Sequence, residues 1–250
     1  VFFIGWYALA QLSVVTVFIF TNALFTDFSW STFLMDPMMF IMWSFVAATL
    51  LFWGRGVFCG WLCPYGAITE LLHMLGARLG IKSFEFSEPV HQRLRLLRYL
   101  ILALLVAAYL YRPELGEQLA EVEPFKTTFF VKPWTREWYY LGWWIFLLVA
   151  STAMFRPFCR YLCPLGAALA LPSSFRLSGP KRRDFCSSCK ICTKGCEPRA
   201  IRPNGTIDAR ECLSCMECEA NYMDHEVCPP LVRAQRDKRK AAVPFEKMSV

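Results

Sequence analysis

Histidine is almost missing from this chain of 250 residues, which has only His73, His91 and His225. None of the three lies inside an apolar run, and that argues against a membrane haem held by two histidines. Charge is scarce over four stretches ending near Phe25, Trp53, Tyr111 and Phe155, and 56% of all residues are hydrophobic. A soluble globule of this size is excluded by such a composition. An initiating methionine and a signal-peptide layout are missing as well, because Val1 already sits in an apolar run. The chain is therefore expected to be part of something longer.

The four apolar stretches read as membrane spans. The first, from Val1 to about Phe25, is long enough for a hydrocarbon core of ~30 Å. Asp36-Pro37 opens the second as an N-cap and first-turn residue, the third runs from about Leu96 to Tyr111, and the fourth is entered through Trp134, Trp138, Trp143 and Trp144. The net charge of +7 does not point to nucleic acid, because the basic residues crowd beside the spans. Arg78 to Arg98 and Arg176 to Arg183 mark the cytoplasmic side, which leaves Ala23 to Thr32 and Arg112 to Glu137 outside. Between them, the spacing of Ile68, Leu71, Leu72, Leu75 and Leu79 predicts an amphipathic helix at the interface.

Cysteine, by contrast, is plentiful at twelve residues, eight of them between Cys186 and Cys228. They fall into Cys186-x2-Cys189-x2-Cys192-x3-Cys196 and Cys212-x2-Cys215-x2-Cys218-x9-Cys228-Pro229, the bacterial ferredoxin pattern for two [4Fe-4S] clusters. In that pattern each fourth cysteine crosses over. Cys186, Cys189, Cys192 and Cys228 are assigned to one cluster, and Cys196, Cys212, Cys215 and Cys218 to the other. Structural zinc wants two pairs and not two triplets, and disulfides belong to secreted chains. The last spacing is longer than usual. It brings in His225 as a rival to Cys228, although Cys228-Pro229 fits the pattern better.

The other four cysteines occur in a duplicated motif. Phe58-Cys59-Gly60-Trp61-Leu62-Cys63-Pro64-Tyr65-Gly66-Ala67 returns as Phe158-Cys159-Arg160-Tyr161-Leu162-Cys163-Pro164-Leu165-Gly166-Ala167, each copy after a pair of spans. That makes two parallel two-helix repeats with both motifs on one membrane face. Pro64 and Pro164 suit a first helical position, which makes Cys63 and Cys163 N-caps where the helix dipole favours a thiolate. Four sulfurs at a shared point suffice for a cubane, a two-iron cluster or one soft metal ion; otherwise the cysteines are small buried hydrophobes.

The order of these units resembles the NosR/NirI family of membrane iron–sulfur flavoproteins, as do Glu121-Val-Glu-Pro-Phe-Lys126 and Asp224-His-Glu-Val-Cys228-Pro-Pro230. The motif pair with ferredoxin runs is shared more widely with NapH-type quinol dehydrogenases and CcoG-like copper-handling proteins. The resemblance implies a periplasmic FMN domain in a preceding part of the chain, for which no motif is present here. It also implies a role in the activity, maturation and expression of nitrous oxide reductase, with that enzyme or its maturation factors as partners.

The expected fold is therefore a mainly α membrane protein of four transmembrane helices in residues 1–175. A cytoplasmic two-cluster ferredoxin segment in 176–232 and a basic tail in 233–250, disordered or lying on anionic lipid, complete it. The expected function is electron relay in the bacterial inner membrane between the tail clusters, a centre at Cys59, Cys63, Cys159 and Cys163, and the flavin. Quinol oxidation, copper handling and redox sensing are the alternatives.

Overall fold

A computed structural model describes residues 12–25, 37–130, 136–181, 189, 191–202 and 204–241. These residues are mostly helical, with one antiparallel bridge, between Ile201 and Ile207. Helix α1 covers Val14–Phe25 and α2 covers Pro37–Trp53. The first cysteine motif forms a wide π-helical turn, Val57–Leu62, and leads into α3, Pro64–Arg78. Then come α4, Glu88–Tyr111, α5, Pro113–Ala120, a second π turn, Lys126–Phe130, and α6, Trp138–Ala153. The second motif lies on α7, Pro157–Tyr161, and α8, Pro164–Ala170, followed by a 3-10 turn, Pro172–Phe175. In the tail are α9, Ile191–Gly195, α10, Glu217–Met223, and α11, Pro229–Ala241.

Proline sets many of these boundaries. It occupies the first turn of α3, α4, α5, α7 and α8, where its missing N–H has no helical partner to lose and its fixed φ suits the helix. Pro113 also ends α4, because the residue before a proline is driven out of the helical region and Arg112 is extended.

The two motif-bearing units are interlocked. Helix α3 lies along α6, and the 3-10 turn lies along α2, so the segment after each motif packs on the helix before the other. Backbone bonds fasten both seams: the Phe84 N–H donates to the Ala153 carbonyl at 2.7 Å, and the Ser178 N–H to the Phe52 carbonyl at 2.7 Å. Gly76 lets α3 and α6 approach, since a Cβ there would press into the Thr152 carbonyl.

Among the described residues α4 is the one helix long and apolar enough to cross a membrane. The second and fourth runs form helices of 17 and 16 residues, and only the end of the first is described. Asp36 and most of Ala23 to Thr32 lie outside the described residues. The helix α4 begins at Glu88, ahead of the expected Leu96, because Pro89 fixes its first turn. His91 therefore sits in a helix, buried, with Nδ1 3.0 Å from the Tyr161 hydroxyl.

Three expectations change. The amphipathic stretch has Leu71, Leu75 and Leu79 exposed, but it buries Tyr65, Thr69 and Gly76, so α3 is half of a helix pair. The described part of the link, from Arg112 to Phe130, folds back as α5 along α4 and buries Glu123 and Phe125. The basic tail is helical through Ala241, so α11 crosses the boundary drawn at 232/233. Its tandem prolines start it, and Lys and Arg are good helix formers.

Replacing Gly76 by Ala should lower the melting temperature, by overpacking of about 1–3 kcal/mol. Gly142→Ala, on α6 where an added Cβ meets nothing within 4 Å, should be neutral or stabilising. Thermal melts of both variants in detergent are the check.

Candidate metal centres

The duplicated motifs share a local geometry. Cys63 and Cys163 are N-caps of α3 and α8 with ψ of 109° and 110°, and the Cys163 sulfur accepts the Gly166 N–H at 3.2 Å. One cavity is lined by Cys59, Cys63, Cys159 and Cys163 together. Its remaining wall is Phe58, Phe125, Phe155 and Leu165 on one side and Pro198, Glu211 and Leu213 of the tail on the other. Phe125 reaches this core by the fold-back of the link. It makes edge contacts with Tyr65 and Phe158 at centroid distances of 5.2 and 5.7 Å, a geometry worth roughly 0.5–1.5 kcal/mol per pair beyond burial.

Three arginines, Arg55, Arg156 and Arg160, line the same cavity. Each motif is braced by an arginine that precedes the other. The Arg55 guanidinium donates to the Gly166 carbonyl at 3.3 Å, while Arg156 donates to the Cys59 carbonyl at 2.6 Å and pairs with Glu70. Arg55, Arg98, Arg156 and Arg160 are each at most 7% exposed, yet among the described residues the carboxylates that pair with them are only Glu211 and Glu70. Nε of Arg55, Nε of Arg156, and Nε and Nη2 of Arg160 have no hydrogen-bond partner. Buried donors rarely stay unsatisfied, and buried charge is costly unless paired. An anionic group between the four sulfurs fits this donor set.

Bare thiols do not. Burial pushes the Cys159 thiol up to about 12, with neighbouring Cys63 adding to it and Arg156 opposing it. Burial raises Cys163 well above 9 despite its N-cap position. Desolvation thus outweighs the helix dipole that was expected to favour a thiolate.

In the tail, Cys189, Cys192 and Cys228 line one cavity with Cys218. Cys196, Cys212, Cys215 and Cys218 line a neighbouring one with Cys192. Cys186 lies outside the described residues. His225 is exposed and Cys228 buried. Burial and then the adjacent Cys212, Cys215 and Cys196 raise the Cys218 thiol to about 12. Among the described residues no three His, Cys, Asp or Glu side chains stand close enough to hold one metal ion.

The tail is clamped to the motifs by Glu211. Its carboxylate pairs with Arg55 at 3.3 Å, with Arg95 at 3.5 Å and with Arg98. Next to it, Asp208 meets Arg202 at 2.8 Å and Arg210 at 3.3 Å. The side-chain bonds hold its carboxyl at about 2 against the opposing effect of burial. Sequence reasoning counted these arginines as topology and overlooked Glu211 and Phe125. The available signal was an arginine shortly ahead of each motif, Arg55 before Cys59 and Arg156 before Cys159.

A family model described as 4Fe-4S binding domain matches residues 35–82 and again 138–183, one match per Cys-x3-Cys-Pro unit. A NosR model matches residues 184–239, the segment with the tail cysteines. The regulatory protein NosR of Pseudomonas aeruginosa is 48% identical over 96% of this chain and 34% of its own length. Protein NirI of Paracoccus denitrificans is 42% identical over 93% of the chain and 34% of its own length.

The chain belongs to the NosR/NirI family.

It spans about a third of the length of these two relatives. A putative electron transport protein, YccM of Escherichia coli, is 30% identical over 72% of the chain and 52% of that protein. No solved structure matches. Within the NosR/NirI family this chain thus matches 4Fe-4S binding domains, and its described residues are mostly helical.

In protein stripped of metal, the pKa of about 12 for Cys159 leaves about one thiol in 10⁴ ionised at pH 8. Alkylation read by mass spectrometry should therefore be slow at Cys159 and Cys163 and rise with pH. The exposed Cys189 and Cys215 should label quickly.

Proposed function

We propose that this chain is the membrane and ferredoxin part of an electron-transfer protein with three iron–sulfur centres. Two [4Fe-4S] clusters are held in the tail, by Cys186, Cys189, Cys192 and Cys228 and by Cys196, Cys212, Cys215 and Cys218. The third is held by Cys59, Cys63, Cys159 and Cys163. The observation that carries the third centre is the meeting of four sulfurs and three buried arginines on one cavity. A four-iron cube bound by four thiolates has a net charge of about −2. That offsets the excess of four buried guanidiniums over two carboxylates.

When bound, the clusters supply one-electron chemistry. The chain's own residues fix them and tune them. Arg55 and Arg156 brace the carbonyls of the opposite motif, Phe58, Phe125 and Phe155 keep the site dry, and the loop from Glu211 to Leu213 closes it toward the tail. Nearby positive charge favours the more reduced, more negative state, and dry surroundings oppose it.

The membrane reading has four spans in two parallel units, with both motifs and the tail on the cytoplasmic side. Its support is the outward apolar side of the helices: Leu96, Leu100 and Leu104 on α4, Ile145, Phe146 and Val149 on α6, and Ile41 and Phe45 on α2 are all exposed. In water such a surface would aggregate, and in lipid it is matched. On this reading the electrons serve nitrous oxide reductase or its maturation through a flavin in a part of the protein outside this chain.

A second reading, oxidation of quinol, is favoured by one further cavity. It is lined by Ile101, Leu105, Trp143, Phe158, Pro164 and a single acid, Glu123. The Glu123 carboxylate accepts the Val14 N–H at 3.2 and 3.3 Å, and burial raises its pKa to about 8. Phe158 lines this cavity and packs in the same core cluster as Cys63 and Cys163. An apolar slot with one proton acceptor beside a redox centre suits a lipid-soluble hydroquinone.

Iron and sulfide counts with EPR of the reduced protein test the three-centre reading, for which ~12 irons per chain are expected. Cys59→Ala and Cys159→Ala should each remove the same signal and spare the tail signals, and the double variant should add nothing. Independent losses, or tightly bound zinc in a colourless tail, would sink it. For the quinol reading, hydroquinone-driven cluster reduction should quicken as pH rises toward about 8, where Glu123 ionises. Glu123→Gln should abolish that rise with iron content unchanged.

A further inference from the structure

Between the cavity of the four cysteines and the tail cavity of Cys196, Cys212, Cys215 and Cys218 stands one short loop, Glu211 to Ser214. Glu211 and Leu213 line the first cavity, while Cys212 and Leu213 line the second. The loop is seated by devices that have no other evident purpose. The Trp61 indole N–H donates to the Ser214 carbonyl at 3.2 Å. A Cβ on Gly60 would run into the Leu213 carbonyl oxygen, and one on Gly56 into the Ser214 side chain. Ser214 itself has φ of 51°, in the left-handed region that is unfavourable for a serine and survives only where the surroundings impose it.

Glu211 pins this arrangement. Its carboxylate is 3% exposed and holds Arg55, whose other contacts run to the Gly166 carbonyl at 3.3 Å and, through its backbone N–H, to Ser173 Oγ at 2.7 Å. The carbonyl of Arg55 in turn accepts the Cys59 N–H at 2.9 Å. One ion pair therefore ties the residue before Cys212 to the backbone of both membrane-face motifs. Removing one partner of a buried pair leaves the other charge uncompensated, so the contact resists partial opening.

We propose that Glu211 is a positioning residue: through Arg55 and Arg98 it holds the loop from Cys212 to Ser214 against the Cys59–Gly60 turn, making that contact the crossing point for electrons between the second tail cluster and the four-cysteine centre. One electron crosses at a time, oxidising the donor centre and reducing the acceptor by one each, with no bond made or broken. The inference rests on the three-centre reading above.

The test uses the full chain purified in detergent with its metal content intact, and reads iron content, the separate EPR signals and the spin–spin broadening between them on full reduction. Wild type should show the broadening. Glu211→Gln should keep its iron and each signal but lose the broadening, and Glu211→Asp, with the charge kept and the reach shortened, should fall between. Gly60→Ala leaves every charge in place and wedges the loop outward, so it decides the matter if Glu211→Gln fails to assemble: loss of broadening with iron retained supports the proposal. Unchanged broadening in Gly60→Ala, or in an iron-replete Glu211→Gln, overturns it. Absence of a third signal from wild type overturns instead the three-centre reading on which it stands.

Discussion

The buried guanidinium groups at the core of the helical unit govern much of their surroundings. Arg55, Arg98, Arg156 and Arg160 are taken out of water at a cost of several kcal/mol each unless something anionic meets them. Two carboxylates meet part of that charge, and the four sulfurs face the rest. The same groups decide where the tail sits, because Glu211 has nowhere else to place its own buried charge. Packing alone would not have fixed that register. The tail contributes Pro198 and Leu213 to the shared cavity, but apolar contact tolerates sliding and a carboxylate among three arginines does not.

The sequence made the parts legible more fully than their meeting. The tail cysteine runs, the doubled motif and the helix-starting prolines all rest on local spacing, and local spacing survives folding. The proline-set boundaries of α3 and α8 could be read from Pro64 and Pro164 alone. The roles of Arg98 and Glu211 could not, because 113 residues separate them and each is ordinary in its own neighbourhood. The membrane rule that places basic residues near span ends explained Arg98 well enough that nothing prompted a second explanation. Phe125 was hidden for a different reason. It lies in a charged link of the kind that usually stays in solvent, and only the fold-back of α5 along α4 turns it inward.

The four-cysteine cavity also separates two uses of cysteine that composition confounds. A cysteine chosen for packing gains from burial, whereas a cysteine chosen to ligate must lose its proton there. Burial drives Cys159 and Cys163 away from the thiolate, and the arginines alone do not reverse this. On the three-centre proposal, an occupant that holds these sulfurs as thiolates would contribute to the stability of the protein around it.

The exchange of partners between the two units constrains the order in which the protein can be made. Helix α3 finds its neighbour only when α6 has been synthesised, and α2 waits for the 3-10 turn near residue 175. A ribosome delivers the first unit with its Gly76 face unmatched and its motif carbonyls still lacking Arg156. It must then carry on past Glu211 before the last wall of the cavity exists. Neither half is a finished object that the other merely joins. On the three-centre proposal, loading of the four cysteines waits for a nearly complete chain, and a chain cut short after the first motif would offer a cluster two sulfurs and no pocket.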